Sequence, residues 1–191
     1  MAKALRYFYD TEFLEDGKTI DLISIGIACE DGREYYAVSS EFDTRAVAAN
    51  DWLMTNVMSS IGYKEEIQYA NITGMPVKDM IITDPAARTR RQIRDEILAF
   101  MAGTWPELWA WYGAYDHVAF CQLFGRMIDL PNKMPMFTND IKQLHKRAGT
   151  MKMPEQPQGL HNALADAKYN IVRYNYLNQI LYPKREVIVE T

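Results

Sequence analysis

Three β-prone segments separated by two Asp-Gly turns open this chain, and they restrict its fold more than any other feature. Residues 4–13 read ALRYFYDTEF, residues 22–30 LISIGIACE and residues 34–39 EYYAVS, joined by EDGK and EDGR. Aromatic and β-branched runs interrupted in this way are strands joined by tight turns, so an antiparallel meander is predicted. The pattern then shifts to helix over residues 44–58 and again over 88–101, where Ile93, Ile97, Leu98 and Met101 recur at helical spacing. Residues 109–112 read as a buried strand, 115–128 as a helix, 136–138 as a short strand, and 139–147 and 162–181 as helices. Between the last two, MKMPEQPQG must be extended or irregular, because proline rejects the helix interior and restricts the residue before it. The polar stretch 59–87, which carries NITGMP and TDPA, reads as an elaborated loop or small insertion. This order predicts an α/β protein with a mixed five-stranded sheet flanked by helices. A chain of 191 residues, 48% hydrophobic and without a Pro/Gly/Ser-rich linker, is expected to form one domain over 1–191.

Chemistry enters through five residues scattered over the whole length. Asp10 and Glu12 sit in YFYDTEF, Asp116 follows WAWYGAY, and His161 and Asp166 sit in HNALADA. Two residues apart on a strand, Asp10 and Glu12 point to one face and can share a cation. Both interrupt a strand of aromatic residues, and charges in such surroundings need partners. Asp116 falls at the start of a helix, where free amide groups favour a carboxylate. Five residues of helix turn through about 500°, so His161 and Asp166 would diverge if both were helical; His161 is placed on the preceding loop.

Each of these residues has a plainer explanation on its own. Asp-x-Glu arises by chance in a chain with 25 acidic residues, Asp116 suits a helix cap, Asp166 a solvated helix face, and His161 a satisfied loop histidine. Together they make a set of four carboxylates and one imidazole, the inventory that holds two divalent cations against a phosphodiester and activates water. Four bare carboxylates are mutually repulsive: two like charges about 4 Å apart cost roughly 4 kcal/mol at an effective dielectric near 20. Mg²⁺ or Mn²⁺, hard and oxygen-seeking, would relieve that.

The rest of the composition bounds the partners. A net charge of −4 argues against a protein that coats nucleic acid nonspecifically, yet a cluster of metal-binding carboxylates is itself negative. Cys29 and Cys121 lie in apolar surroundings and read as reduced core thiols. The opening MAKALRYFYD has no signal-like apolar region, and no stretch has transmembrane length, so a cytoplasmic protein without a membrane partner is expected. Arg88, Arg90, Arg91 and Arg94 form the one dense basic cluster, read as a solvated helix face rather than a phosphate grip. Phe13, beside the acidic pair, could stack on a terminal base, and Tyr112 and Gly113 lie where a nucleic-acid backbone could approach; Trp109 and Trp111 read as core. His117 and His145 match no catalytic position.

The same residues carry a family resemblance. DTE, YDHVAF and HNALAD, the last fitting His-x-Ala-x-x-Asp, resemble the three motifs of the DEDDh branch of the DnaQ-like 3′–5′ exonucleases. RYFYDTEF, ELWAWYGAYDHVAFCQL and PMFTNDIKQL resemble more closely that branch's mycobacterial polyadenylate-specific exoribonucleases, with residues 59–87 as the departure. The resemblance implies a ribonuclease H-like fold and a 3′–5′ exoribonuclease acting on RNA 3′ ends with two Mg²⁺ ions, Mn²⁺ being an alternative. It implies Asp10, Glu12, Asp116 and Asp166 as metal residues, His161 as general base, an adenylate preference and a homodimer. The motifs leave a DNA exonuclease and a catalytically silent binding module open; only RNA offers the 2′-hydroxyl that separates the first two.

Overall fold

A computed structural model describes residues 3–69 and 75–183. The predicted meander is present as β1 (Lys3–Glu15), β2 (Ile20–Cys29) and β3 (Glu34–Ser39), with Tyr7 opposite Cys29 and Asp10 opposite Gly26. The register slips between Glu12 and Phe13, where β2 carries one residue more than β1. That bulge inverts the alternation of β2: Leu22, Ile25 and Ile27 face one core and Ile23 another.

The predicted helix over 44–58 is two helices, α1 (Thr44–Ala48) and α2 (Asp51–Asn56), followed by one 3₁₀ turn. Asn50 divides them, because its side chain accepts from the Leu53 amide and so starts a new helix. Residues 59–87 hold a separate two-stranded hairpin, β4 (Tyr63–Tyr69) with β5 (Pro76–Ile82), and the first residue of β6 (Ala87–Arg88). α3 (Arg90–Phe100) begins on a Thr89/Gln92 capping box, which satisfies two exposed amide groups reciprocally. β7 (Thr104–Ala110) and α4 (Ala114–Gln122) follow, the latter ending short of the predicted 128 before Gly125, whose φ is 100°. The short strand predicted at 136–138 lies instead at β8 (Asn139–Asp140), and Asp140 then caps α5 (Ile141–Arg147). The last helix is α6 (Ala163–Leu181), capped by Asn162.

The main sheet has the order β6-β3-β2-β1-β7-β8, antiparallel through β1, β2 and β3 and parallel at β3/β6, β1/β7 and β7/β8. It is a mixed sheet of six strands rather than five, because the two-residue β6, which pairs with β3 from a distant segment, is not revealed by local pattern. Helices cover both faces, as in a ribonuclease H-like α/β fold. Tyr7 and Tyr9 of β1 pack towards α3 and α4 with Ile93, Ile97 and Phe120, while Phe8 packs the other way with Ile141, Tyr174 and Leu177. Burial of each such side chain is worth about 1.5–3 kcal/mol, so β1 is anchored from both sides just before Asp10. Among the described residues no helix is long and apolar enough to cross a membrane.

Candidate active site

β1 outruns its parallel neighbour. The last residue pair between β1 and β7 is Phe8 with Trp109, whereas β2 accompanies β1 as far as Glu15. Beyond Phe8 the sheet therefore opens on one side of β1. The chain leaving β7 turns away through Trp111 and Tyr112 into α4, and a cleft of about 370 Å³ occupies the gap. Asp10 and Glu12 share the face of Phe8, the face covered by α6. Asp166, in the first turn of α6, meets them there: oxygens of the three carboxylates lie within 4.8 Å of one another.

Asp116 reaches the same cleft from the opposite face. Thr11, between the acidic pair, points away from it, and both its amide (2.8 Å) and its hydroxyl (2.7 Å) donate to Asp116 Oδ1. Asp116 thus stands beside the three-carboxylate group, not within it. His161 lies on the turn before α6 with φ of 61°, outside the helix; its amide donates to Asp166 Oδ2 at 2.9 Å, and its ring meets the Trp52 ring edge-on at 4.9 Å. The helix cap on Asn162 and the close seat of α6 on Gly26 fix where His161 and Asp166 sit.

The electrostatics follow from crowding. Burial, then the like charges of Asp116, Glu12 and Asp166, hold the Asp10 carboxyl well above the usual range. Burial, then Asp166 and Asp116, push Glu12 up to about 8. Asp116 is raised by burial to about 6 against the two Thr11 hydrogen bonds, and Asp166 is raised by burial although hydrogen bonds from Gln156 and the His161 amide oppose it. The Arg173 guanidinium opposes the rise at Asp10 and Asp166 but does not cancel it, so the cluster stays short of positive charge. Asp10, Glu12 and Asp166 could hold a hard divalent cation, which would supply it.

The residues predicted from sequence are not all in the cleft. Asp10, Glu12, Asp116, His161, Asp166, Phe13 and Tyr112 line it. Phe13 is half-buried and meets the Tyr115 ring edge-on at 5.9 Å. Gly113 is absent from that lining; a Cβ there would stand 2.7 Å from Ala110 Cβ and 3.1 Å from Thr138 Cγ2, so its smallness serves packing between strand end and helix start. Arg88, Arg90 and Arg94 pair with Glu96, Asp21 and Asp95 away from the cleft. Arg173 was missed. It lines the cleft, held by Asn170 Oδ1 at 2.8 Å, and Asn170 in turn donates to the Tyr9 carbonyl. Its spacing was the available signal, since seven residues after Asp166 on a helix is nearly the same face.

A carboxylate cluster beside the free flank of a central strand, with a histidine on the adjoining turn and aromatic rings along the cleft, is suited to metal-assisted hydrolysis of a phosphodiester. The chain belongs to the family described as the 3′-5′ exoribonuclease Rv2179c-like domain, whose model matches residues 5–177. It is 44% identical over 179 residues to the 3′-5′ exoribonuclease Rv2179c of Mycobacterium tuberculosis (strain ATCC 25618 / H37Rv), covering 91% of this chain and 93% of the relative. The same identity and coverage hold for the 3′-5′ exoribonuclease MT2234.1 of strain CDC 1551 / Oshkosh. The exonuclease resemblance carried by DTE, YDHVAF and HNALAD is borne out by this membership.

Proposed function

We propose that this chain is a single-domain, metal-dependent 3′–5′ exoribonuclease of the DEDDh kind, with the hairpin of β4 and β5 as an elaboration of the domain. The observation that carries the reading is the group of three carboxylates within 4.8 Å, charge-frustrated and open to a cleft, in a chain of an exoribonuclease family. That donor set, all oxygen and short of positive charge, fits Mg²⁺ or Mn²⁺. Asp10, Glu12 and Asp166 would hold the ions, with Asp116 acting on a second ion or its water. When bound, such ions acidify water and stabilise a leaving oxygen. His161 overhangs the cluster on its loop and accepts the proton of the attacking water, a role suited to an imidazole near neutral pH. Water adds to phosphorus, the 3′ oxygen of the upstream nucleotide leaves, and a nucleoside 5′-monophosphate is released. Phe13, Tyr112 and Tyr115 offer ring faces and edges to unpaired bases.

The adenylate preference and the homodimer rest on the resemblance of the longer segments. Ile67 and Tyr69, exposed on one face of β4, support a subunit contact there. The free thiols Cys29 and Cys121 support a cytoplasmic setting. The test is to incubate end-labelled oligo(A), oligo(U), mixed RNA and matched DNA with Mg²⁺ or Mn²⁺, alongside Asp10→Ala. A ladder shortening from the 3′ end for RNA, fastest for oligo(A) and absent in Asp10→Ala, is the expected result. Equal loss of DNA overturns the RNA assignment, and no degradation of any substrate overturns the enzyme.

A further inference from the structure

Two cations stand against the Trp111 ring on the wall of the cleft. The Arg173 guanidinium lies 4.9 Å from the centre of the Trp111 ring and 4.8 Å from that of Tyr169. The Lys142 ammonium lies 5.0 Å from the Trp111 ring centre and 5.4 Å from that of Tyr112. Among the described residues neither forms a close ion pair, although Arg173 feels the charges of Asp166 and Asp10. Lys142 uses one of its three donors on His145 and keeps the others for an anion.

Both cations are aimed. His145 is buried, and its Nε2 donates to the Met151 carbonyl at 2.7 Å, which leaves Nδ1 to accept from Lys142 at 3.0 Å. Asn170, fully buried, orients Arg173 from the other side. Between them Tyr112 is held in the left-handed region at φ of 57°, by its amide to Asp140 Oδ1 and by its carbonyl, which accepts from Ala114. A bulky residue in that region is strained. The strain turns its ring outward, 62% exposed, beneath Lys142 and along the cleft.

We propose that Trp111 carries a two-cation clamp, Arg173 and Lys142, that grips phosphates of the RNA strand entering the cleft while Tyr112 stacks on a base. The clamp rests on the exoribonuclease reading and adds to it the path of the strand. It offsets the repulsion that the carboxylate cluster exerts on a polyanion, and it reads no sequence, as suits an enzyme that moves along its substrate.

The experiment is hydrolysis of single-stranded oligo(A) over a series of KCl concentrations by the wild type, Lys142→Gln, Lys142→Arg and Arg173→Gln, with binding of fluorescent oligo(A) to Asp10→Asn and to the Asp10→Asn/Lys142→Gln double variant. Loss of one phosphate contact flattens the plot of log(kcat/KM) against log[KCl] by about 0.7 for a single strand. Lys142→Gln and Arg173→Gln are each expected to show that change with KM raised several-fold, and Lys142→Arg to restore the slope. Lys142 decides the matter, since its side chain touches rings and His145 but none of Asp10, Glu12, Asp116 and Asp166. A slope and an oligo(A) affinity unchanged by Lys142→Gln overturn the clamp and leave the exoribonuclease standing. A wild type inert towards RNA overturns the exoribonuclease reading first.

Discussion

Gly26 of β2 lies so close beneath Ala163, the first residue of α6, that a Cβ on it would overlap the Ala163 carbonyl and the Leu164 amide. Gly26 is also the cross-strand partner of Asp10. One missing side chain therefore sets the distance between the strand that carries Asp10 and the helix that carries Asp166. Gly26→Ala must push the backbone of α6 outward, since no flexible side chain is there to give way. The expected cost is about 1–3 kcal/mol in urea unfolding, as for other overpacked sites, with Mn²⁺ affinity falling in parallel. Unchanged metal affinity in a destabilised variant would show that Asp166 does not need that seat.

In the proposed mechanism Asp10 and His161 have different tasks, and titration calorimetry with Mn²⁺ separates them. His161→Ala should keep ion binding and lose about 10²–10⁴ in kcat, the range of a lost general base. Asp10→Ala should lose both. Hydrolysis unaltered in either variant contradicts its role.

Much of this site is legible in the sequence alone, and the reason is locality. Asp10 and Glu12 are joined by strand periodicity, and Asn162, where the predicted last helix opens, caps α6 one residue before Ala163. What was illegible depends on partners far away in sequence. YKEEIQY has no strong strand pattern and becomes β4 by pairing with β5. β6 is two residues long and exists through Val38 and Ser39 on its neighbour, while β8, of equal length, lies just past its expected place at 136–138, where it pairs with Trp109 and Ala110. The cap on Asn50 was readable in principle but lay inside a continuous helical pattern. Arg173 was hidden because α6 packs or half-covers residues on most of its sides, so no polar stripe singled it out.

Without ions the crowded carboxyls make folding less favourable as pH rises. In the unfolded chain Asp and Glu ionise near pH 4; in the folded protein Glu12 holds its proton to about 8, Asp116 to about 6, and Asp10 and Asp166 are raised too. Between about pH 4 and 8 the folded state thus binds more protons than the unfolded one, and stability falls with pH. The penalty is absent below the lower limit, and the parts from Glu12 and Asp116 are complete above the upper. Divalent ions must displace those protons, so they stabilise most where the protons are already leaving. Thermal unfolding in EDTA should show a melting temperature that declines from about pH 5 to 8, and the increment from Mg²⁺ or Mn²⁺ should grow over the same interval. An increment larger at the acid end would contradict the arrangement.

Thr11 is the one residue of the acidic segment that faces away from the cluster, and its only partner of note is Asp116. Thr11→Val removes the hydroxyl at 2.7 Å and leaves the backbone amide at 2.8 Å on the same oxygen. A buried carboxylate that loses one of two donors is destabilised by about 1–3 kcal/mol. Those hydrogen bonds are also what restrain the rise of the Asp116 pKa, so the variant carboxyl should ionise at higher pH still. The acid limb of kcat/KM against pH should then move upward, while Thr11→Ser, which keeps the hydroxyl, should follow the wild type. If Thr11→Val lowers stability yet leaves the pH profile in place, Asp116 takes no part in catalysis through its charge, and the site reduces to the three carboxylates and His161.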